Sequence, residues 1–490
     1  MDLILAIDSG TTSTRALAFA ADGVIVAAAR HGITQHYPRP GWVEHDATEI
    51  WHLTLRAIHD VLADVGVGRI AAIGIANQRE TIITWSRRTG QPLAPAIVWQ
   101  DRRTTDVTNA LRDAGHEPRV QALSGLLLDP YFSASKLRWL IDHVPEVAAA
   151  ALSGDLAAGT VESWLLWNLT GGRAHLTDIS NAARTCLMDL NSGQWSADLL
   201  ALFGVPPACL PAICPTAGWL ADTHLFGPTP IPVTGMAGDQ QAATIGQGCL
   251  SAGQAKCTYG TGIFLLANAG SSAPVSGNRL LATRLSERMF ALEGSIFVGG
   301  NAVKWLRDGL GILDTAAESA AMAASVPDSG GVSFVPAFAG LGAPHWQPEA
   351  RGLISGLTAG TSRAHIVRAT LEAMGQQTAD LVDAFAADGV VPNTLRVDGG
   401  MAANDWLCQD IADICGLVVE RPRSIETTAL GAAMLASVGL GRHNGLAEAA
   451  NAMVHADLRF TPRQSAEQRA QRRAQWQRAV ARTLTGLSSG

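Results

Sequence analysis

Residues 7–19 read IDSGTTSTRALAF: two short apolar runs flank a turn that contains one glycine and four consecutive hydroxyl side chains. A tight turn of small residues exposes several backbone N–H groups on one side, and hydroxyl groups add donors. Such a turn suits phosphate oxygens, although a ligand-free β-turn would have the same sequence. A third apolar run, 23–29, follows the turn at Asp22, so the chain is expected to start as an antiparallel meander. A Walker or Rossmann nucleotide loop would instead lead from a strand into a helix.

Two charged residues flank the hydroxyl turn. Asp8 ends the first predicted strand, where a carboxylate can hold Mg²⁺ directly or through water. Arg15 begins the second strand, from which a guanidinium can reach a transferring phosphoryl group. The hydroxyl turn is therefore a candidate phosphate site with a metal ligand at its entrance.

A similar pattern recurs in the second half of the chain. Residues 254–270 read QAKCTYGTGIFLLANAG, again a strand, a small polar turn and a strand, which predicts two related domains that face each other. Further on, DGGMAAN (398–404) places two glycines at a predicted helix start, where an adenosine could approach the backbone closely. An apolar stripe with a spacing of three to four predicts a helix over 362–388, with Ser362 as its cap.

Composition limits the classes of protein that the chain can represent. A length of 490 residues exceeds one hydrophobic core and suggests two large domains. With 47% hydrophobic and 16% charged residues, the chain is expected to pack as a globular protein. The formal net charge of −7 gives no electrostatic case for nucleic acid or an anionic membrane as partner.

The sequence contains no pattern typical of a membrane span, a signal peptide or a redox-active cysteine pair. No apolar run approaches the roughly 18 residues that span a bilayer, and the N-terminus MDLILAID lacks the basic start of a signal peptide. The seven cysteines contain no CxxC pair. We therefore expect a cytoplasmic protein without membrane insertion, whose cysteines are buried reduced thiols.

Nine motifs in one order identify the chain as a member of the FGGY carbohydrate kinases, and it most resembles the members that act on glycerol. The motifs are DSGTTSTRA, YPRPGWVEHD, IGIANQRET, AIVWQDRR, DPYFSASK, GMAGDQQAA, TYGTGIF, PAFAGLGAPHW and RVDGGMAAN. The resemblance implies an α/β fold of two actin- and hexokinase-like (ribonuclease H-like) ATPase domains with an interdomain cleft. It further implies an N-terminal domain over 1–246 for polyol and phosphates, a nucleotide-binding domain over 247–443, and a C-terminal helical extension over 444–490.

The resemblance also assigns an acceptor pocket. The residues that match the family's polyol ligands are Arg79, Glu80, Tyr131, Asp239 and Gln240, and the matching wall residues are Trp99 and Phe264. A neutral polyol must be recognised by donors and acceptors fixed to its hydroxyl groups, and Arg79 and Glu80 supply these. The alternatives are an exposed ion pair for Arg79 and Glu80 and ordinary core for the aromatic residues. Asp239 is the predicted general base, with helix capping as its alternative role.

The resemblance likewise assigns the nucleotide side. The matching phosphate ligands are Thr11, Thr12, Ser13 and Arg15, the matching nucleotide ligands are Thr261, Gly300, Gly400 and Asn404, and the matching metal ligand is Asp8. Lys304 stands where other members carry Gln or Arg, so a nucleotide contact is expected from it too. Pro230 stands where a regulated bacterial member binds fructose 1,6-bisphosphate through an arginine, so that regulation is not expected.

The implied reaction is phosphorylation of glycerol by Mg-ATP to sn-glycerol 3-phosphate, by a homodimer or homotetramer. One alternative is an FGGY kinase for another polyol, a ketopentose or a sugar acid. An actin-like polymer or a chaperone ATPase is an alternative of a different class, because it would share the nucleotide turns but need no polyol pocket.

Overall fold

The structure, a computed structural model, describes residues 2–485. The strands are β1 (Leu3–Ser9), β2 (Ser13–Phe19), β3 (Ile25–Gly32), β4 (Glu44–His45), β5 (Ile70–Asn77), β6 (Ile83–Ser86), β7 (Ala96–Ile97), β8 (Leu156–Gly159), β9 (Leu176–Asp178), β10 (Met188–Asp189), β11 (Gln194–Trp195), β12 (Ala212–Cys214), β13 (Ala217–Thr223), β14 (Ile231–Gly238), β15 (Gln254–Tyr259), β16 (Ile263–Gly270), β17 (Leu281–Arg284), β18 (Phe290–Ile296), β19 (Ser333–Val335), β20 (Leu353–Ser355), β21 (Thr394–Asp398), β22 (Val418–Pro422) and β23 (Ala456–Phe460).

The α-helices are α1 (Ala47–Val65), α2 (Thr105–Asp113), α3 (Glu117–Ser124), α4 (Ser133–His143), α5 (Pro145–Ser153), α6 (Val161–Leu169), α7 (Ile179–Ala182), α8 (Ala197–Phe203), α9 (Asp239–Gly246), α10 (Gly300–Asp308), α11 (Glu318–Ala324), α12 (Arg363–Ala387), α13 (Asp405–Cys415), α14 (Thr427–Gly439), α15 (Leu446–Met453) and α16 (Ala466–Thr485). Short 3₁₀ helices cover Val67–Arg69, Pro207–Cys209 and Gly400–Ala403.

Two large mixed sheets with similar strand arrangements form the centre of the molecule. The first runs β13-β14-β5-β1-β2-β3, and the second runs β17-β18-β16-β15-β21-β22-β23. In both sheets an antiparallel three-strand meander continues into two parallel strands and an antiparallel edge strand. The second sheet carries β17 in addition. The predicted pair of related α/β domains and the initial meander are thus confirmed.

Strand register brings the predicted motifs together at the carboxyl ends of the central strands of each sheet. In the first sheet Ser9 and Gly238 both pair with Asn77, so the residues that follow these three strand ends emerge side by side. In the second sheet Thr258 pairs with Asp398, which places the polar turn after β15 level with the glycine turn after β21. Ligands of open α/β sheets bind at such carboxyl ends of strands.

Helix α14 packs on the first sheet, although it comes late in the chain. It packs on β1, β5 and β14 of the first sheet and on α9, although it follows β22 of the second sheet in the chain. The contact with α9 is so close that a Cβ at Gly431 would lie 1.8 Å from the Ala242 carbonyl oxygen. Only a glycine fits there without displacement of the helix pair.

The end of the chain contributes to both halves. Within 444–490, α15 packs into the core of the first half, and β23 forms the edge of the second sheet. The described part of that segment is therefore not only the predicted helical extension. The boundaries at 246 and 443 stay predictions.

Other local expectations agree with the structure. Helix α12 begins after Ser362 with a capping box that His365 completes. On α16, Trp476 and Val480 are buried. All seven cysteines are free thiols, and five of them are buried. Within residues 2–485, no helix is both long and apolar enough to cross a membrane.

Candidate active site

Arg79 and Glu80 lie in a strained turn directly after β5. The Thr81 amide donates to the Arg79 carbonyl oxygen at 2.7 Å, and Glu80 at the turn's centre has φ 61°. A non-glycine residue in this region costs about 1–3 kcal/mol and is often found at functional sites. The turn directs both side chains into the interior, where their exposed fractions are 3% and 1%. They do not form an exposed ion pair.

These two residues belong to a buried network of four charges. Arg79 donates to both oxygens of Glu293, from Nη1 at 2.5 Å and from Nη2 at 3.0 Å. Glu80 accepts from Nε of Arg184 at 2.7 Å, and Arg184 also donates to Glu293 at 3.3 Å. The Arg79–Glu80 contact is longer, at 3.8 Å. Arg79 and Glu80 thus each have a nearer partner from a distant part of the chain than they have in each other.

The network shifts the pKa values of its carboxylates. Burial alone would raise the pKa of Glu293, but the charges of Arg184 and Arg79 outweigh it and lower that pKa to about 2. Burial raises the pKa of Glu80, and Arg79 and Arg184 oppose this rise. Glu293 thus carries a permanent negative charge that fixes the two guanidinium groups.

Asp239 lies at the edge of this network. Its Oδ1 is 3.2 Å from Nε of Arg79 and accepts from the Gln240 amide at 2.6 Å, while 28% of its side chain remains exposed. Asp239 occupies the first position of α9, and Gly238 is the cap, so the alternative of a helix-capping Asp239 does not apply. Burial raises the pKa of Asp239 against the opposing charges of Arg79 and Lys256. A carboxylate of this kind can accept a proton from a hydroxyl group in the pocket.

Aromatic residues connect the acceptor side with the hydroxyl turn. The rings of Trp99 and Tyr131 meet edge to face at 5.6 Å, and Tyr131 Oη accepts from Arg79 at 3.4 Å. Trp99 Nε1 donates to Thr11 Oγ1 at 2.9 Å. Phe264 lies in β16 opposite Thr258, and among the described residues it makes no ring contact with these aromatics. The structure therefore joins Trp99 and Tyr131 to the site directly and Phe264 only through the second sheet.

The hydroxyl turn has the shape that the sequence predicts. The Gly10 amide donates to the Ser13 carbonyl oxygen at 3.0 Å, Thr12 is exposed, and Ser13 opens β2. Arg15, the predicted phosphate ligand, donates to Glu426 at 2.5 Å, beside the start of α14. Contact between Arg15 and a phosphate would therefore compete with this ion pair.

Asp8 is suited to a bound cation. Within residues 2–485 its carboxylate accepts no hydrogen bond, and burial, together with the charges of Asp239 and Glu426, raises its pKa to about 7 against the effect of Arg15. No group of three or more His, Cys, Asp and Glu side chains in the described chain could hold a metal. The single carboxylate of Asp8 fits Mg²⁺, which takes one or two carboxylates and completes its shell with water and phosphate oxygens.

The nucleotide residues gather on the second half. The Gly299 amide donates to the Thr261 carbonyl oxygen and the Gly300 amide to that of Gly260, both at 2.8 Å. A Cβ at Gly400 would meet nothing within 4 Å, which leaves open space beside the backbone. Asn404 caps α13 through the Leu407 amide at 3.0 Å. Lys304 is exposed on α10.

Sequence reasoning missed three buried charged residues: Arg184, Lys256 and Glu293. Lys256 and Glu293 each lie inside a strand and are fully buried. A single charged residue within an apolar strand is rare unless it has a partner, and FALEGSI and QAKCTY contained this signal. Arg184 follows α7 and had no comparable signal.

Comparisons with known proteins identify the family to which the chain belongs. Residues 3–246 match the N-terminal domain of the FGGY family of carbohydrate kinases, and residues 255–440 match its C-terminal domain. A glycerol kinase of Rhodospirillum rubrum is 53% identical, with 99% of this chain and all of that protein covered. One of Rhodopirellula baltica is 52% identical over 98% of this chain and 90% of its own.

Solved structures show the same fold. The crystal structure of Plasmodium falciparum glycerol kinase with ADP superimposes with a TM-score of 0.93 at 36% identity, with 99% of this chain and 98% of that chain covered. A xylulose kinase of Lactobacillus acidophilus has a TM-score of 0.90 at 21% identity, covers 100% and 99% of the two chains, and supports the fold alone. On these matches, the chain belongs to the FGGY family of carbohydrate kinases.

Proposed function

We propose that the protein transfers the γ-phosphoryl group of ATP to glycerol and releases sn-glycerol 3-phosphate and ADP. The observation that carries this proposal is the position of Asp239: a partly exposed carboxylate lies 3.2 Å from Arg79, an arginine that Glu293 holds in place. Two residues that match the family's polyol ligands contact it: Arg79 and Gln240. Such a site combines a proton acceptor with fixed hydrogen-bonding groups, which a neutral polyol requires.

In the proposed reaction, Asp239 accepts the proton of a primary hydroxyl group as the oxygen bonds to the γ-phosphorus. The bond from that phosphorus to the β–γ bridging oxygen breaks, and ADP leaves with the electron pair. Because the transition state is loose, Asp239 chiefly orients the hydroxyl group before it takes the proton. Mg²⁺, when bound at Asp8, would neutralise charge on the phosphates. Thr11 and its neighbours would hold the phosphates in line with the hydroxyl group.

The buried charges support a neutral acceptor. The cations Arg79, Arg184 and Lys256 already interact with buried carboxylates, namely Glu80, Glu293, Asp239 and Asp398. A sugar acid would bring a further negative charge into this buried surrounding, where an unpaired charge is costly. This consideration favours glycerol over gluconate-like acceptors within the same family.

The test is ATP turnover by the purified protein with glycerol, xylulose, gluconate and no acceptor. We expect kcat/KM for glycerol to exceed that for either sugar at least a hundredfold, with little ATP hydrolysis in the absence of an acceptor. Preference for xylulose or gluconate would overturn the proposed substrate. Rapid ATP hydrolysis that no acceptor accelerates would overturn the kinase proposal itself and favour an ATPase.

A further inference from the structure

Lys256 is a buried lysine that points from the second sheet to the acceptor side of the site. It lies within β15 and is fully buried. Its Nζ donates to Oε1 of Gln240 and to Oγ1 of Thr258, the latter at 2.7 Å. A buried ammonium group is unfavourable unless it is paired and hydrogen-bonded. The two neutral oxygen partners and the nearby charges of Asp398 and Asp239 supply this compensation.

The contact with Lys256 decides which end of the Gln240 side chain faces the pocket. An ammonium group only donates hydrogen bonds, so the atom that it meets must be the amide oxygen. Gln240 Nε2 is then directed elsewhere, and within residues 2–485 it donates to no partner. Without Lys256, the amide could turn and present its oxygen instead.

The next residue in the chain has the opposite hydrogen-bonding character. The carboxylate of Asp239 accepts, while Nε2 of Gln240 donates, and the two residues are consecutive at the start of α9. A hydroxyl group offers one donor and two lone pairs. Adjacent acceptor and donor groups can therefore fix a single hydroxyl group in both directions, with its proton toward Asp239.

We propose that Lys256 is a positioning residue, which locks the Gln240 amide so that Nε2 donates to an acceptor hydroxyl group beside Asp239. This role rests on the proposed function, because it needs an acceptor with hydroxyl groups in the pocket. Thr258 anchors the ammonium group to the strand that continues into the nucleotide turn at Thr261. Lys256 thereby links the geometry of the acceptor side to the half that carries the nucleotide residues.

The first test is a double-mutant cycle on glycerol kinetics. Lys256→Met keeps the length of the side chain and removes its donors, and we expect about a tenfold loss in kcat/KM, mainly through KM for glycerol. The KM for ATP should change less than threefold. In a Gln240→Ala background, Lys256→Met should cost less than a further threefold, because coupled residues are non-additive. A threefold or larger loss in that background overturns the proposal, since Lys256 would then act by another route.

A second variant tests the proposal even if Lys256→Met fails to fold. Gln240→Glu keeps an oxygen for Lys256 but replaces the Nε2 donor with an acceptor. We expect at least a threefold loss in kcat/KM with glycerol, and a smaller loss overturns the proposal. All variants are measured with whichever acceptor the wild-type enzyme turns over. If the wild-type enzyme turns over an acceptor other than glycerol, only the proposed substrate is overturned. If the effects of Lys256→Met and Gln240→Ala are additive, only the role of Lys256 is overturned.

Discussion

Arg79 donates two hydrogen bonds to Glu293, at 2.5 and 3.0 Å, although the two residues come from different sheets. Arg79 follows β5 of the first sheet, and Glu293 lies within β18 of the second. Arg79, which is predicted to bind the acceptor, is thus held in place by a carboxylate from the other sheet. Any movement that separates the halves at this point would release the guanidinium group.

The first prediction concerns the stability of this pair. Glu293→Gln keeps the shape of the side chain but removes the carboxylate that the two buried arginines Arg79 and Arg184 share. Breaking one side of a buried ion pair typically lowers the free energy of unfolding by about 3–5 kcal/mol. Glu349→Gln serves as the control, since Glu349 is 78% exposed in a 3.9 Å ion pair and should change stability by less than about 0.5 kcal/mol. Urea unfolding measures both, and equal effects would contradict the account of Glu293.

The second prediction concerns how the difference in unfolding free energy between wild type and Glu293→Gln depends on pH. The folded pKa of Glu293 is about 2, below the value of about 4.3 in an unfolded chain. Its ionisation therefore stabilises the fold above pH 5, and this stabilisation disappears as the pH falls toward 2. The stability difference between wild type and Glu293→Gln should stay constant from pH 8 to 5 and shrink by about a third at pH 3.5. A difference that grows or stays level at pH 3.5 would refute the lowered pKa.

The predicted part of the site consists of residues next to strand ends. Asp8 lies near the end of β1, and Arg79 and Asp239 closely follow β5 and β14. Parallel pairing brings such positions together whenever the strands are recognised. The local pattern of strand, small polar turn and strand predicted the roles of Asp8 and the hydroxyl turn, whereas Arg79 and Asp239 were assigned by the family resemblance. The same patterns predicted the two related halves, because both hairpins have the same order of apolar and polar residues.

The partners of those residues could not be predicted in the same way. Glu293 is 214 positions away from Arg79, and Arg184 is 104 positions away from Glu80. Their roles therefore depend on how the sheets pack. The guanidinium group of Arg79 can bind any nearby carboxylate, so the sequence alone does not identify Glu293 as its partner. The phosphate role of Arg15 stays a prediction, and its ion pair with Glu426 follows only from the position of α14.

Close packing between the halves gives the third prediction. A Cβ at Gly431 would lie 1.8 Å from the Ala242 carbonyl oxygen, so Gly431→Ala forces α9 and α14 apart. We expect the free energy of unfolding to fall by about 1–3 kcal/mol or more. Gly68→Ala is the matched control, because a Cβ there meets nothing within 4 Å. Thermal unfolding of the two variants gives the comparison, and equal midpoints would contradict the close contact.

The fourth prediction concerns the base. Asp239→Asn should retain the fold and nucleotide affinity but lower kcat by about 10²–10⁴-fold, because an amide cannot accept the hydroxyl proton. Asp328→Asn, at an exposed turn, is the control and should leave kcat unchanged. The measurements are steady-state turnover with glycerol and calorimetric titration with ATP. Unchanged turnover would eliminate Asp239 from the catalytic role.

The most direct test of the account is acceptor discrimination by Arg79→Ala. The variant removes a charged hydrogen-bond donor worth about 1.5–3 kcal/mol, which corresponds to about 10- to 150-fold in kcat/KM for glycerol. Propane-1,2-diol lacks one hydroxyl group, so its kcat/KM should fall less and the preference for glycerol should narrow. ATP affinity should barely change. The account predicts that Arg79→Ala lowers the ratio of kcat/KM for glycerol to that for propane-1,2-diol, while ATP binding stays intact. Weakened ATP binding with an unchanged ratio would contradict the account.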